Sequence, residues 1–569
     1  METVSGPAVL IAHLGYDLTS AKAAILVGHG AGASAVELRR EDGSVVEVAI
    51  ERSEPVRVAR WSEALYERVD FSALHEAGRF RVSARFDTGS VESELFAVEA
   101  DRLVGSVVSD LTAMFRAQRS SGEIERKDAA ARFYGDDSGR TVDARGGWLD
   151  ASGDYSKFLS HLTYTRMMSP QQIPLCAWAL LTAGRELRAA HPEFRTSQYP
   201  RLRDEGLFGA DFLVRFRAPE GYFYTGIFDA LTKKLEERVI TAPLQDSVRT
   251  QRWQAAYRHG GGLAIAALAL ASTADAAGDH APEEYFEAAA GGFDHLQAHN
   301  REYLFDGEES VIDDYCALLG AAELTAAAGA HGVDGARFAD AGRQRAAALA
   351  ARLRESETGA FLIGDVEGRP FFHAAEPGLP VVALLRWHEV TGDEDARRAA
   401  FAILAGLVER TDAVPNPYGY PRQRVQPLGG RPGDAFFFPH ENETGYWWQG
   451  ENAGIASVAY AASLAARSEA CPPALAGRLR RLSADVVSWI TGLNPFDSCL
   501  LQGRGRGGVE YSSEFQNTPG GIVNGITSGW TDEESIAFVP SDAPDGEEWR
   551  WAEQWIPHSG WMLLAVCAG

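Results

Sequence analysis

The texture of the chain changes once, near residue 103, and that break constrains the fold more than any other feature. Before it, "VLIAHLGY", "KAAILVGH", "SVVEVAIE" and "GRFRVSARF" are short, often alternating runs, separated by turn signals such as "EDGS" and "DTGS". Short strands at this spacing predict an antiparallel β-sandwich over 1–103. After the break the chain is rich in Ala, Leu, Arg and Glu, and about twelve helices are predicted over 104–569. "PLCAWALLTAGRELRAAH", "GGLAIAALALASTADAAG" and "NAGIASVAYAASLAARSE" are clear cases. The fold class is therefore multi-domain, all-β followed by all-α. No low-complexity linker marks the break, which predicts that the two parts pack directly on each other. No strict repeat is visible, which argues against a solenoid.

Charge narrows the function classes. The 569 residues hold 54 Lys and Arg against 79 Asp and Glu, a formal net charge of −25. Such a chain repels nucleic-acid phosphates and anionic membrane surfaces, so neither is an expected partner. No apolar run approaches the roughly 20 residues of a membrane span. The N-terminal stretch "METVSGPAVLIAHLGYDLTS" has no basic region and no long apolar core, which gives a cytoplasmic expectation. The five cysteines form no CxxC pair and mostly sit in apolar runs, as buried small hydrophobes do. Oligomeric state leaves no mark in the pattern.

Several motifs fail a context test. Gly28-x-Gly30-x-x-Ala33 follows an apolar run, but a strand hairpin, not a helix, is predicted after it, so a dinucleotide site is set aside. Asp150, Ser152 and Asp154 match positions 1, 3 and 5 of an EF-hand, yet Tyr155 stands at the glycine position and His161 at the bidentate glutamate. A structural calcium elsewhere stays open, and no cofactor is required. "HENET", at His440–Thr444, lacks the second histidine of a zincin helix.

Three segments mix acids with aromatics. "GGWLDASGDYSKF" holds Trp148, Asp150, Asp154 and Tyr155. "PHENETGYWWQGENAG" holds His440, Glu441, Tyr446, Trp447 and Trp448, of which one tryptophan is expected in the core and one in the cleft. "EEWRWAEQWIPHSGW" holds Trp551, Glu553 and His558. Aromatic faces cover the C–H side of a sugar ring, and carboxylates bind its hydroxyls. Glycoside hydrolysis needs one protonated carboxyl and one ionised carboxylate. Taken alone, Asp150 and Asp154 are equally readable as turn and helix-cap acids, with Asp154 expected at the start of a helix-like "SKFLSHL".

The segments resemble glycoside hydrolase family 9, the family of many cellulases. "GGWLDASGDYSKF" is similar to its Asp-Ala-Gly-Asp segment, and "ITGLNPFDSCLLQGRG" to its Leu-Gly-x-Asn-Pro helix end. "EGLFGADFLVRFRAPEGYFYTGIFD" resembles its early helix and Gly-Phe-Tyr turn, and "EQWIPHSGWMLLAV" its C-terminal helix opening with an acid. The start, "VLIAHLGYDLTSAKAAIL", resembles the immunoglobulin-like module preceding many of these catalytic domains. The resemblance implies an Ig-like sandwich, an (α/α)6 barrel and an inverting mechanism. It implies that Asp154 is the base, that Asp150 supports the attacking water, and that Glu553 is the general acid.

Two departures stand out. Ser152 adds a residue between the aspartates, which opens the question of which one faces the water. The family's His-His-Arg sugar-binding segment is replaced by "GRGGVEYSSEFQNTPGG", bringing Arg504, Arg506 and Tyr511. The substrate is expected to be a β-linked, gluco-configured oligosaccharide, glucose or glucosamine type, attacked from a chain end. An endo-β-1,4-glucanase is the alternative, and a glycan-binding protein with Ser152 as its catalytic lesion is the rival of another class.

Overall fold

The computed structural model describes residues 1–30, 32–445, 450–511, 517–530, 532–544 and 546–569. Its N-terminal part holds nine strands: β1 (Ala8–Leu10), β2 (Tyr16–Asp17), β3 (Ala23–Gly28), β4 (Ala35–Arg40), β5 (Glu51–Arg52), β6 (Leu65–Asp70), β7 (Gly78–Phe86), β8 (Gly89–Glu92) and β9 (Phe96–Glu99). One sheet runs β1-β3-β6-β5, the other β2-β9-β7-β4, with β8 added to β7. The alternation of β7 puts Phe80, Val82, Ala84 and Phe86 inside. One departure from the antiparallel expectation is β2, which pairs with β9 in parallel. Gly28 closes β3 and leads to β4, not to a helix.

Fourteen α-helices follow among the described residues. They are α1 (Arg102–Ala117), α2 (Gly122–Asp128), α3 (Ile173–Ala190), α4 (Tyr199–Arg215), α5 (Gly261–Ala271), α6 (Pro282–Tyr303) and α7 (Val311–Ala328). Next come α8 (Ala336–Ala351), α9 (Leu379–Thr391), α10 (Glu394–Asp412), α11 (Glu451–Arg467), α12 (Pro473–Ile490), α13 (Trp549–Ala552) and α14 (Ile556–Cys567). Helix contacts run α3 to α5, α7, α9, α11, α14 and back to α3. Six others pack on that circuit: α1 on α14, α4 on α3, α6 on α5, α8 on α7, α10 on α9 and α12 on α11.

Sequence explains the division. α5, α7, α11 and α14 are apolar on nearly every side and buried on nearly every side. A helix that is apolar all round must be surrounded. α1 and α8 carry one apolar stripe and bury only that. Gly262 lets α5 approach α7 closely, since a Cβ there would lie 2.6 Å from the Cys316 carbonyl carbon. All five cysteines are buried and unbridged.

The two parts do pack directly. Arg68 of β6 pairs with Asp485 of α12 at 2.6 Å and donates to the Pro417 carbonyl. Trp61 sits among Tyr418, Phe436 and Trp489. No helix is long and apolar enough to cross a membrane, among the described residues.

Candidate active site

The segment after Trp148 sits beside the start of α14. Contrary to the helix expected in "SKFLSHL", residues Lys157–Phe158 form a strand, β10, paired with β11 (Gly226–Phe228), which pairs with β12 (Val239–Ile240). The reason is charge. Lys157 points into a buried cluster where its ammonium meets Asp128 at 2.6 Å and Arg238 meets the same carboxylate at 2.6 Å. Arg238 also donates to the Tyr155 carbonyl. The strand lets Lys157 share Asp128 with Arg238 while its backbone pairs with β11.

The cluster supports a tight turn over Ala151–Asp154, in which the Asp154 N–H donates to the Ala151 carbonyl at 3.3 Å. This turn absorbs the extra serine. The Ser152 hydroxyl accepts from the Gln554 N–H at 2.9 Å and donates to Asn517 Oδ1 at 2.8 Å, while its N–H donates to the Gln554 carbonyl at 2.8 Å. Ser152 therefore ties the turn to the chain carrying Glu553. Neither aspartate is displaced: one oxygen each of Asp150 and Asp154 and a ring nitrogen of His161 lie within 4.8 Å of one another.

Glu553 follows α13 and is not the opening residue of the last helix. Its backbone is extended, with φ −68° and ψ 140°, and α14 starts three residues later with Pro557 in its first turn. The extended stretch bridges on both sides, Ala151 to Trp555 and Val523 to Gln554. Alternation along it sends Gln554 to Thr518 and leaves Glu553 and Trp555 on the face of the aspartates. Trp555 donates its indole N–H to Asp150 at 3.1 Å.

The three carboxyls differ electrically. Burial, and then the charge of Asp154, push Glu553 up to about 8, against a Gly153 N–H that favours ionisation. Burial pushes Asp150 well above the usual carboxylate range, and Asp154 adds to it. Burial also raises Asp154, but the Ser156 hydroxyl and N–H, at 2.6 and 2.8 Å, hold its charged form. Among the three, Asp154 is the one built to be ionised and Glu553 to carry a proton. His161 stands 3.7 Å from Asp150, but burial lowers it to about 3, so this is a neutral contact and not an ion pair. As a neutral imidazole between two carboxylates, it would complete a ligand set suited to a zinc-like ion better than to calcium, which prefers oxygen.

The family profile described as glycosyl hydrolase family 9 matches residues 105–511. The chain belongs to that family. A second profile, the cellulase N-terminal ig-like domain, matches residues 4–88. A metagenome-derived glycoside hydrolase family 9 endoglucanase has a similar structure, at 17% identity over 99% of this chain and 98% of that one, with a TM-score of 0.63. The GH family 9 endoglucanase J30 is similar at 16% identity over 97% of this chain and 99% of that one, with a TM-score of 0.62. No curated protein matches. This family 9 protein is thus an O-glycoside hydrolase with an Ig-like N-terminal domain. Glu553 lies beyond the matched range, so its membership of the site rests on the geometry above.

Other expected sugar contacts divide sharply. Tyr155 is half-buried beside Asp154. Tyr511 reaches the acids: its hydroxyl and a Glu553 carboxyl oxygen both lie within 3 Å of where a Cβ on Gly153 would stand, at 2.8 and 2.9 Å. His440 is half-buried, 2.8 Å from the Ser528 hydroxyl, and Glu441 is exposed. Tyr446, Trp447 and Trp448 lie outside the described residues. Trp148 is a correction: it is fully buried, donates to Glu205 at 2.9 Å and fits against Gly209, so it holds α4 rather than a sugar. Trp551 is likewise fully buried, edge-on to the more exposed Trp530. His558 has no exposed surface. Arg504 pairs with Asp110 of α1, and Arg506 with Asp497, beside His13 of the sandwich. Both arginines are spent on structure.

Sequence reasoning missed two residues. His161 lay in the quoted segment and was weighed only as an EF-hand mismatch. Asp229, buried just past β11, adds its charge to the field at Asp154. Only its position after the Gly-Phe-Tyr turn signalled it.

Proposed function

We propose that the protein hydrolyses β-linked, gluco-configured oligosaccharides with inversion, from a chain end. The observation that carries this reading is the pairing of a Glu553 held up to about 8 with a hydroxyl-bonded Asp154 across one turn. In this reading Glu553 gives its proton to the glycosidic oxygen. Asp154 takes a proton from the attacking water, and Asp150, held by Trp555, orients that water. The helix circuit supports an (α/α)6 barrel spanning 104–569 behind a sandwich of 1–103. Chain-end attack is supported by the long non-helical segments after α10 and α12 and by Tyr511 standing at the acids. Internal cleavage is the second reading, favoured by the similar proteins named endoglucanases. Early proton NMR of β-linked gluco- and glucosamine oligosaccharide digests tests both points. An α-anomer and release of single sugars are expected. A β-anomer overturns inversion, and mixed-length products overturn chain-end attack.

A further inference from the structure

A second cavity, of about 650 Å³, opens away from the acids, at the C-terminal ends of α3, α5 and α7. In a chain with net charge −25, its lining is positive: Arg185, Arg188, Arg195, Arg203 and Arg386 against only Asp275 and Glu323. Both acids are already committed. Glu323 pairs with Arg386 at 2.8 Å and accepts from Trp178. Asp275 takes Arg188 at 2.9 Å, Arg203 at 3.0 Å and the Tyr199 hydroxyl at 2.6 Å. Arg185, half-buried, makes no hydrogen bond or ion pair among the described residues. Among the described residues the Arg195 side chain makes only a 3.3 Å bond to the Arg188 carbonyl.

The helix dipole explains some of these cations but not all. The negative C-terminal end of α3 favours Arg185 and Arg188. Arg203, however, lies in the second turn of α4, whose positive N-terminal end, at Tyr199, faces the same cavity. A cation is disfavoured there and an anion is favoured. Leu181, Ala269 and Ala327 give the cavity an apolar wall, and its volume is that of a site for an organic ligand rather than a lone ion.

We propose that this cavity binds a small organic phosphate, its dianion between Arg185 and Arg195 and its organic body on the apolar wall. Guanidinium groups match phosphate oxygens with paired N–H donors. The site is independent of the hydrolytic reading, since none of its residues touches the acids.

Titration calorimetry of the full chain at physiological salt tests it, with hexose 6-phosphate, inorganic phosphate and uncharged hexose as probes. Hexose 6-phosphate is expected to bind at least about tenfold more tightly than inorganic phosphate or hexose. Arg185→Gln with Arg195→Gln is expected to weaken it at least about tenfold, with glycoside turnover unchanged. Glu553→Gln is expected to leave it untouched. No binding of the sugar phosphate overturns the site. Binding that survives the arginine changes, or that is lost in Glu553→Gln, moves it elsewhere. Equal affinity for inorganic phosphate overturns the organic ligand. Where the double variant loses turnover, Arg185→Lys decides: weakened binding in a folded, active Arg185→Lys supports the site, because an ammonium lacks the paired donors, and wild-type binding overturns the part given to Arg185.

Discussion

Buried carboxyls in this protein meet opposite treatment in two places. Glu323, on α7, is fully buried, yet Arg386 holds it below the usual range against the pull of burial. Asp128, under the acid turn, is treated the same way by Lys157 and Arg238. Asp150 is also buried and Glu553 half-buried, but among the described residues no lysine or arginine lies within 4.0 Å of either, and both rise. Burial alone therefore does not mark an acid as functional. Burial without a cation does not mark one either, since Glu376 and Glu451 are buried among neutral partners and also rise to about 8. What sets Asp150, Asp154 and Glu553 apart is that such acids meet at one turn, each adding to the field of the next.

That contrast can be broken from either side. The largest effect is expected at Asp154. Asp154→Asn removes the one carboxylate held ionised, and turnover should fall ~10²–10⁴-fold, with partial recovery in azide. Asp150→Asn should cost less, roughly 10–10²-fold, because an amide can still take part in positioning water. Turnover of the two variants on one oligosaccharide checks this ordering, and a dead Asp150→Asn beside an active Asp154→Asn would reverse the roles. On the structural side, Arg386→Met leaves Glu323 buried without its ion-pair partner. It should cost about 3–5 kcal/mol in denaturant unfolding, with KM near wild type. Trp148→Phe strands the Glu205 contact and should cost about 1–2 kcal/mol, again without a change in KM. A clear rise in KM would return Trp148 to the sugar site.

How much of this was readable in the chain follows from which forces are local. The change from strand-like to helix-like runs and the all-apolar helices are local patterns; the strands of the N-terminal part end at Glu99 and α1 begins at Arg102. Asp150, Asp154 and Glu553 drew attention through neighbouring aromatics, and the family resemblance gave them roles, though Trp148 and Trp551 among those aromatics are fully buried. Nothing near Trp148 shows that its indole N–H is satisfied by Glu205, 57 residues away. Arg504 and Arg506 look available until Asp110 and Asp497 are brought beside them. The helix expected after Asp154 failed because Lys157 is committed to Asp128, a partner with no sequence proximity. The role of Ser152 was invisible for the same reason, since its bonds run to Asn517 and Gln554.

The central claim is that Glu553 holds a proton because burial and Asp154 hold it there. A group raised in this way is active while protonated, so activity should persist below its pKa and fall as pH rises through about 8. The direct measurement is the pH dependence of kcat/KM for wild type and Glu553→Gln on an aryl β-glycoside whose leaving group needs some protonation. The account predicts an alkaline limb near pH 8 in the wild type, absent from the slower Glu553→Gln variant. An alkaline limb that remains at the same pH in Glu553→Gln would contradict it.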